Sequence, residues 1–146
     1  MTGPAISVEA DLASRLRLVV TRLGRRLRRH AGGDLTPSQS SALFSLERFG
    51  PMTLGDLSAV ENIRPPTLTK VISALEEQGL VARHTDARDR RISRVEVTKA
   101  GSQLLDRSRS RSSAYLAQRL SALPAADRAA LEQAVTVLER LLEADE

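Results

Sequence analysis

The 146-residue chain is 41% hydrophobic and 27% charged, which indicates one globular domain over residues 1–146. It has no cysteine and two histidines, which argues against disulfides and against thiolate or histidine-based metal sites, so we expect neither a metal nor a cofactor. The net charge is +4, but residues 83–111 hold nine basic and four acidic side chains, whereas residues 112–146 hold three and six. This local excess favours a polyanion-binding site in the middle of the chain.

No apolar run reaches the ~20 residues that a membrane span needs, and residues 1–14 lack the basic and apolar blocks of a signal peptide. We therefore expect a cytoplasmic, nucleoid-associated protein without a membrane partner. The aromatic residues are too few for the stacking platforms of single-stranded nucleic-acid binders, and we expect them in the core. They are Phe44, Phe49 and Tyr115.

A long amphipathic helix is predicted over residues 6–30. Its apolar stripe recurs at spacings of four, three, four and four residues and comprises Leu12, Leu16, Val19, Leu23 and Leu27. We interpret this stripe as a dimerisation or core surface. Arginines fill the other faces of the helix and are interpreted as solvated, with residues 25–29 as an alternative contact to a ligand or to phosphate.

Two capping patterns mark the beginnings of the next helices. Residues 36–39 form a capping box that begins a helix reaching about residue 48, and residues 53–56 form a second box that begins a short helix reaching about residue 61. Residues 62–64 form a turn. A further helix is predicted over residues 65–79, where Gly79 is suited to ending it.

Residues 80–98 are predicted to form a β-hairpin. Apolar residues alternate on both sides of a loop, residues 86–91, with the arginine-rich sequence DARDRR. Two helices joined by a tight turn and followed by such a hairpin make a winged helix–turn–helix, which binds double-stranded DNA. Helices over residues 99–120 and 124–143 complete the chain, and we interpret the arginines at 107, 109 and 111 as solvated.

Candidate DNA-binding residues lie at two places. The beginning of the helix at 65–79 is predicted to enter the major groove, with its backbone amides near phosphate, although Pro65 and Pro66 remove two of the donors. The hairpin tip is predicted to enter a minor groove, where arginine meets the most negative potential. The first group comprises Arg64, Pro65, Pro66, Thr67, Thr69 and Lys70. The second comprises Arg88, Asp89, Arg90 and Arg91. We expect Asp86 and Asp89 to hold Arg88 and Arg91 in one rotamer or to brace the turn, and a merely solvated side chain is the alternative for Asp89.

The run LVARHTDARDRRISRVEVTKAG resembles the wing of the MarR family. The family's Asp-x-Arg-Asp-x-Arg pattern falls on Asp86, Arg88, Asp89 and Arg91, and its Thr-x-x-Gly falls on Thr98 and Gly101. LTKVISALEEQGLVAR resembles the family's recognition helix, and LTPSQSSALFSLE resembles its second helix. The chain departs at Pro124, where members often have a Ser or Thr cap, and it lacks the cysteine of the peroxide-sensing branch.

The resemblance implies a homodimer that binds pseudo-palindromic operators, usually as a repressor. It implies dimerisation through residues 6–34 and 99–146, and a winged-helix lobe over residues 36–98 with its recognition helix at 65–79 and its wing at 80–98. In many members a small aromatic or lipophilic effector binds between the two lobes and releases DNA. The sequence does not assign the residues of such a pocket.

Together these features predict a mainly α fold with a small β-hairpin wing (α+β) and the function of a sequence-specific, double-stranded DNA-binding regulator. An alternative is a small-molecule-binding or scavenging protein with vestigial DNA binding, which nanomolar operator binding would exclude. The sequence contains no recognisable nucleophile–base pair, metal-ligand set or phosphate-binding loop, so we expect no enzymatic activity.

Overall fold

The computed structural model describes residues 7–33 and 35–143. These residues form, in chain order, α1 (Val8–Ala31), α2 (Pro37–Phe49), β1 (Met52–Thr53), α3 (Leu54–Glu61), α4 (Pro65–Glu77), β2 (Val81–Thr85), β3 (Ser93–Val97), α5 (Lys99–Ser121) and α6 (Ala125–Glu143). The fold is mainly helical with a small antiparallel sheet, as predicted. The expected first residue of α1, residue 6, lies outside the described residues, as do residues 34 and 144–146 of the predicted dimerisation segments. Over the described ranges, the helices are too short or too polar to cross a membrane.

Side-chain caps set where the helices of the central part begin. The capping box predicted for α2 is present, because Thr36 accepts from the Gln39 N–H at 3.2 Å and Gln39 accepts from the Thr36 N–H at 2.9 Å. At α3 the Thr53 side chain accepts from the Asp56 N–H at 3.1 Å. These side chains satisfy amides that have no partner within the helix, which stabilises each helix start.

The sheet has the order β1–β3–β2, and both strand pairs are antiparallel. β2 and β3 form the predicted hairpin, with Val81 opposite Val97. The sequence does not predict β1, because a strand of two residues shows no alternation. β1 is defined by its pairing with β3, where Met52 lies opposite Val95.

The hydrophobic core joins helices α2–α5 to the sheet. Its buried members are Ala42, Leu43, Leu46, Leu57, Leu68, Ile72, Leu75, Leu80, Val81, Val95 and Leu105. Among the described residues of α1 and α6, none is buried, so the stripe predicted on α1 does not belong to the core of the single chain. α1 packs on α5, where the Ser112 hydroxyl donates to the carbonyl of Leu27 at 3.1 Å.

The aromatic residues do not lie in the core, contrary to the sequence prediction. Phe44 and Phe49 are 45% and 57% exposed on α2. The guanidinium of Arg109 lies 5.4 Å from the centre of the Phe44 ring, and Tyr115 stacks on His30 with ring centres 3.7 Å apart. Such cation–π and stacking contacts stabilise rings that remain partly exposed.

The interpretation of the α5 arginines as solvated is wrong for two of them. Arg109 forms ion pairs with Glu47 of α2 and, at 3.4 Å, with Asp106. Arg111 donates to the carbonyl of Ala31 at 3.4 Å. Because α5 lies against both α1 and α2, its arginines reach polar groups on those helices and connect the three.

Candidate nucleic-acid interface

The helix–turn–helix comprises α3, the turn at residues 62–64 and α4. Asn62 ends α3 with a φ of 51°, a left-handed conformation in which asparagine is enriched. The hydroxyl of the buried Ser58 donates to the carbonyl of Ile63, and the Ile63 N–H donates to the carbonyl of Ser58 at 3.1 Å. These bonds fix the direction in which α4 leaves the turn.

α4 has a buried face and an exposed face. Leu68, Ile72 and Leu75 are fully buried. The exposed side carries every candidate that the sequence predicted at this helix, namely Arg64, Pro65, Pro66, Thr67, Thr69 and Lys70. The Thr69 hydroxyl already donates to the carbonyl of Pro65 at 2.9 Å. These six residues therefore lie together at the position from which a helix–turn–helix reads the major groove.

The beginning of α4 does not offer backbone amides to phosphate, contrary to the sequence prediction. The prolines at 65–66 have no N–H, and the N–H groups of Thr67 and Leu68 both donate to the carbonyl of Arg64 at 3.0 Å. An anion at this end of the helix must therefore be bound by side chains. Arg64 and Lys70, both exposed, supply the positive charge.

The end of α4 determines where the hairpin begins. Gly79 has a φ of 71°, the left-handed region that favours glycine. Its N–H donates to the carbonyl of Glu76 at 2.9 Å, and the Leu80 N–H donates to the carbonyl of Leu75 at 3.0 Å. This pair of bonds is a Schellman motif, which confirms the prediction that Gly79 ends the helix. The chain continues from it directly into β2.

Arg83 of β2 connects the hairpin to α4. Its guanidinium forms an ion pair with Glu76 at 3.2 Å and donates to the Ser73 hydroxyl at 3.2 Å. Sequence reasoning missed this role because Arg83 is one of many basic residues in the region. The available signal is a carboxylate in the last turn of the helix followed by an arginine on the next strand.

Asp86 organises the wing tip, residues 86–92. Its carboxylate accepts from the N–H groups of Arg88 and Asp89, at 2.8 and 3.3 Å, and from Nε of Arg94 at 2.8 Å. Of the two roles predicted for Asp86, bracing the turn is confirmed, whereas holding the guanidinium of Arg88 is wrong. The carboxylate is directed to β3, so its guanidinium partner is Arg94, and Arg88 contributes only its backbone N–H.

Asp89 orients Arg91, as predicted. One oxygen of Asp89 accepts from the N–H and Nε of Arg91, at 3.0 and 3.2 Å, and the other accepts from Nη2 at 3.1 Å. Two parallel bonds of this kind fix the plane of a guanidinium, although the Arg91 side chain remains 91% exposed. Arg88 and Arg90 are exposed as well, and in the part of the chain that the structure describes their guanidinium groups have no hydrogen-bond partner.

Hydrogen bonds lower the pKa of both carboxyl groups at the tip. The side-chain bond from Arg94, with the N–H groups of Arg88 and Asp89, holds the pKa of Asp86 below its ordinary value of 3.8. The side chain and N–H of Arg91 hold the pKa of Asp89 below the same value. Both groups are therefore ionised near neutral pH, when they bind the surrounding donors most strongly.

The Thr-x-x-Gly pattern joins the wing to α5. The Thr98 hydroxyl donates to the carbonyl of Gly79 at 2.6 Å and accepts from the Gly101 N–H at 3.2 Å. Gly101 is buried against the wing base, where an added Cβ would overlap the carbonyl oxygen of Leu80 and come within 2.8 Å of Cγ1 of Val97. The absence of a side chain at Gly101 therefore lets α5 begin directly against the base of the wing.

An exposed recognition helix followed by an arginine-tipped hairpin defines a winged helix–turn–helix protein. A family model described as the MarR family matches residues 35–93. The chain is also 38% identical over 136 residues to the HTH-type transcriptional regulator Mb0904 of Mycobacterium bovis, a match that covers 92% of this chain and 95% of that protein. The chain belongs to the MarR family of winged helix–turn–helix transcriptional regulators.

Solved structures share this fold. A crystal structure of a protein from Pseudomonas aeruginosa PA01 is 34% identical, with a TM-score of 0.82, and the match covers 92% of this chain and 95% of that one. A Staphylococcus aureus MepR variant, solved bound to an oligodeoxyribonucleotide, is 20% identical with a TM-score of 0.67 over 92% of this chain and 98% of its own.

Proposed function

We propose that the protein is a sequence-specific repressor that acts as a homodimer on a pseudo-palindromic operator in double-stranded DNA. The exposed side of α4 is assigned to the major groove and the wing tip to an adjacent minor groove. The observation that carries this proposal is the exposed guanidinium of Arg91, held in one orientation by Asp89. We place the protein with the nucleoid in the cytoplasm and assign it no enzymatic activity.

The charges at the two contact regions support this assignment. Arg88 and Arg90 extend from the wing, and Arg64 and Lys70 extend from α4, all of them exposed. The acids of the tip are directed to its own donors, and we assign Asp89 the role of positioning Arg91 rather than of contacting DNA. Operator affinity should fall steeply with salt, because each phosphate contact releases condensed counterions.

The helices outside the core support a homodimer. α1 and α6 have no buried residue among those described, yet they carry exposed large apolar side chains such as Leu12, Val19, Val135 and Leu142. A second copy that covers these surfaces would relate two α4 helices by a two-fold axis. The half-sites of the operator should then lie about one helical turn of DNA apart.

A cleft of about 500 Å³ between α1, α2 and α5 supports an effector site. Its apolar lining includes Leu27, Leu35, Pro37, Phe44 and Leu105, and Arg28 and Arg109 supply positive charge. This lining suits a small aromatic or lipophilic acid, since ligand sites combine an apolar wall with few polar groups. We propose that such a ligand releases DNA by shifting α5, which begins at the wing base.

The test begins with selection of genomic fragments that the protein binds, followed by gel-shift titration of the recovered operator. Arg91→Ala is expected to weaken operator binding by roughly 1–3 kcal/mol, the range for a lost groove contact, without changing the fold. Arg107→Ala is the matched control, because Arg107 is an exposed arginine that belongs to α5 and to neither the wing nor α4. The control should bind the operator as the unaltered protein does.

Equal operator affinity for Arg91→Ala and the unaltered protein would contradict the wing assignment. Failure to recover any preferred fragment, combined with tight binding of benzoate or naphthoate anions, would instead favour the alternative of a small-molecule-binding protein with vestigial DNA binding. If the operator is recovered, the same anions should reduce its retardation. Phe44→Ala, which removes an aromatic wall of the cleft, should diminish that response.

A further inference from the structure

A second cavity lies between α1 and α5, outside the cleft that α1, α2 and α5 form. It has a volume of about 420 Å³. Five residues line it: Arg26, Arg29 and His30 of α1, and Tyr115 and Arg119 of α5. None of them lines the cleft assigned to an effector. The two cavities are therefore separate, although the same pair of helices contributes to both.

Helical spacing brings the lining side chains together. Arg26, Arg29 and His30 are separated by three and four residues, so they lie on one side of α1. Tyr115 and Arg119 are four residues apart and share one side of α5. Because α1 packs on α5, the two groups meet at the contact between the helices.

An aromatic stack holds the helices together at this cavity. The rings of His30 and Tyr115 are parallel to within 9°, with their centres 3.7 Å apart. Nearby, the Ser112 hydroxyl donates to the carbonyl of Leu27 at 3.1 Å. Tyr115 covers one face of the imidazole, so the exposed area of His30 belongs to its other face and its edge. These contacts form the cavity before any ligand arrives, which reduces the cost of binding.

The three arginines of the cavity lack acidic partners within the part of the chain that the structure describes. Arg26, Arg29 and Arg119 form no ion pair and no side-chain hydrogen bond there. The sequence around them is also free of acids, because residues 12–33 and 107–126 hold seven and four arginines but no aspartate or glutamate. The guanidinium groups are therefore available to an anion from outside the chain.

The donors at the cavity suit a phosphate group. A guanidinium presents its N–H groups in a fork that matches two phosphate oxygens, and three such groups can offset two or more negative charges. The Tyr115 hydroxyl and the His30 ring can add further donors. The lining contains no aliphatic side chain, whereas Leu27, Phe44 and Leu105 form an apolar wall in the other cleft. The cavity thus favours a compact polyanion over a lipophilic acid.

We propose that this cavity is a second ligand site, which binds a small phosphate-bearing anion with at least two negative charges. Arg26, Arg29 and Arg119 bind the phosphate oxygens. The free face of His30 receives a planar part of the ligand where the ligand has one. The sequence left residues 25–29 with a ligand or phosphate contact as the alternative to solvation, and the cavity supports that alternative for two of these arginines.

The site is remote from the proposed DNA contacts along α5. Tyr115 lies sixteen residues after Lys99, the first residue of α5. At a rise of about 1.5 Å per residue, this separation is about 24 Å along the helix axis. The proposal therefore does not depend on the role assigned to the wing.

The chain contains its own optical probe of the site. Tyr115 is the single tyrosine and there is no tryptophan, so tyrosine fluorescence reports on this cavity. Titration with inorganic pyrophosphate, at an ionic strength held constant with sodium chloride, is expected to change the fluorescence saturably. Inorganic phosphate should bind about tenfold more weakly, because it engages fewer guanidinium groups, and acetate should give no saturable change.

The variants test the arginines directly. Arg26→Gln/Arg29→Gln is expected to raise the pyrophosphate Kd by about tenfold or more, the loss expected when hydrogen bonds to a charged group are removed. Arg29→Lys keeps the charge without the fork and should cause a smaller loss. The matched control is Arg17→Gln/Arg107→Gln, which removes two charges at exposed arginines that do not line the cavity. It should leave the Kd unchanged. Circular dichroism and sedimentation equilibrium check the fold and the oligomeric state of each variant.

Gel-shift titration with the operator separates the two sources of phosphate. The expected result is that Arg26→Gln/Arg29→Gln loses pyrophosphate binding and keeps its operator affinity. No saturable response to pyrophosphate, or equal Kd values for this variant and its control, would overturn the proposal and leave operator binding intact. Weaker operator binding by the variant, together with no response of the unaltered protein to pyrophosphate, would assign the arginines to the phosphates of DNA and reject a small-molecule site.

Discussion

Two regions of the molecule make opposite use of their apolar residues. One is the wing lobe, which comprises α2–α4, the sheet and the beginning of α5. The other is the pair of outer helices, α1 and α6. The wing lobe buries eleven apolar side chains within one chain, and polar contacts such as Arg83 with Glu76 connect its parts. In α1 and α6, the large apolar side chains remain partly or largely exposed. A single chain is therefore sufficient to form the core of the wing lobe, whereas the outer helices leave apolar surface that the proposed homodimer would cover.

The largest expected effect comes from opening a cavity in the wing lobe. Ile72→Ala removes a fully buried side chain of α4 and should lower the free energy of unfolding by about 2–5 kcal/mol. Urea denaturation measures this loss, which should be the same at every protein concentration. Val60→Ala, at a residue of α3 that is 48% exposed, is the control and should cost much less. Equal losses for the two variants would refute the division between core and surface.

A smaller effect is expected where the wing lobe meets α5. Gly101→Ala places a Cβ against the carbonyl of Leu80 and should cost about 1–3 kcal/mol, the range for overpacking. Gly55→Ala is the control, because the nearest atom to its Cβ is Oγ1 of Thr53 at 3.8 Å. Alanine also has the higher helix propensity, so the control should be neutral or slightly stabilising. A Gly101→Ala protein with the unaltered thermal midpoint would show that this junction is loosely packed.

The outer helices should respond differently, because in the proposed homodimer their contribution to stability depends on the second copy. Val135→Ala, on the apolar side of α6, should cost about 1 kcal/mol, and only at concentrations where the dimer forms. Val137→Ala is a matched control with the same chemistry and similar exposure, 48% against 51%, but it lies on another side of the helix. Thermal unfolding over a range of protein concentrations separates the two. A loss for Val135→Ala that does not vary with concentration would place its contact within the single chain.

The smallest expected effect is acid loosening of the wing tip. Hydrogen bonds hold the pKa values of Asp86 and Asp89 below 3.8 in the folded chain, so their contribution is fully present above the unfolded value and is lost as the pH falls through the lowered folded values. The protection factors of the Arg88 and Arg91 amides, which correct exchange rates for their intrinsic pH dependence, should therefore fall only below about pH 4. In Asp86→Asn the Arg88 amide should show a weaker acid transition. Unchanged protection down to about pH 2 would mean that the carboxylates do not order the tip.

Most of the fold follows from short signals in the sequence. The capping box at Thr36 and the glycine at Gly79 place helix ends that the structure reproduces, because each signal satisfies its backbone groups locally. The pairing of Asp89 with Arg91 is equally predictable, since the partners are only two positions apart in the sequence. Interactions between residues that are close in the sequence are sufficient to predict these features.

Contacts between distant segments could not be predicted in the same way. The Asp86 carboxylate selects Arg94 rather than Arg88 because the hairpin register brings β3 beside it, which spacing along the chain does not reveal. Phe44 is partly exposed and lies against the guanidinium of Arg109, a residue of another helix. The sequence alone favours a buried Phe44 ring and a solvated Arg109. Both predictions are wrong, because α2 and α5 bring the two side chains into contact.

The three arginines of the wing tip differ in how far their side chains are restrained, and this difference affects the conformational entropy lost when the tip binds DNA. An arginine that is ordered only on binding loses side-chain conformational entropy equivalent to about 1.5–2 kcal/mol. Asp89 restricts Arg91 before any encounter, whereas Arg88 and Arg90 keep their rotational freedom. In the proposed complex, the two mobile guanidinium groups would tolerate many phosphate geometries, and Arg91 would accept only a groove of matching width. One loop of seven residues, 86–92, would thus combine a permissive and a selective contact.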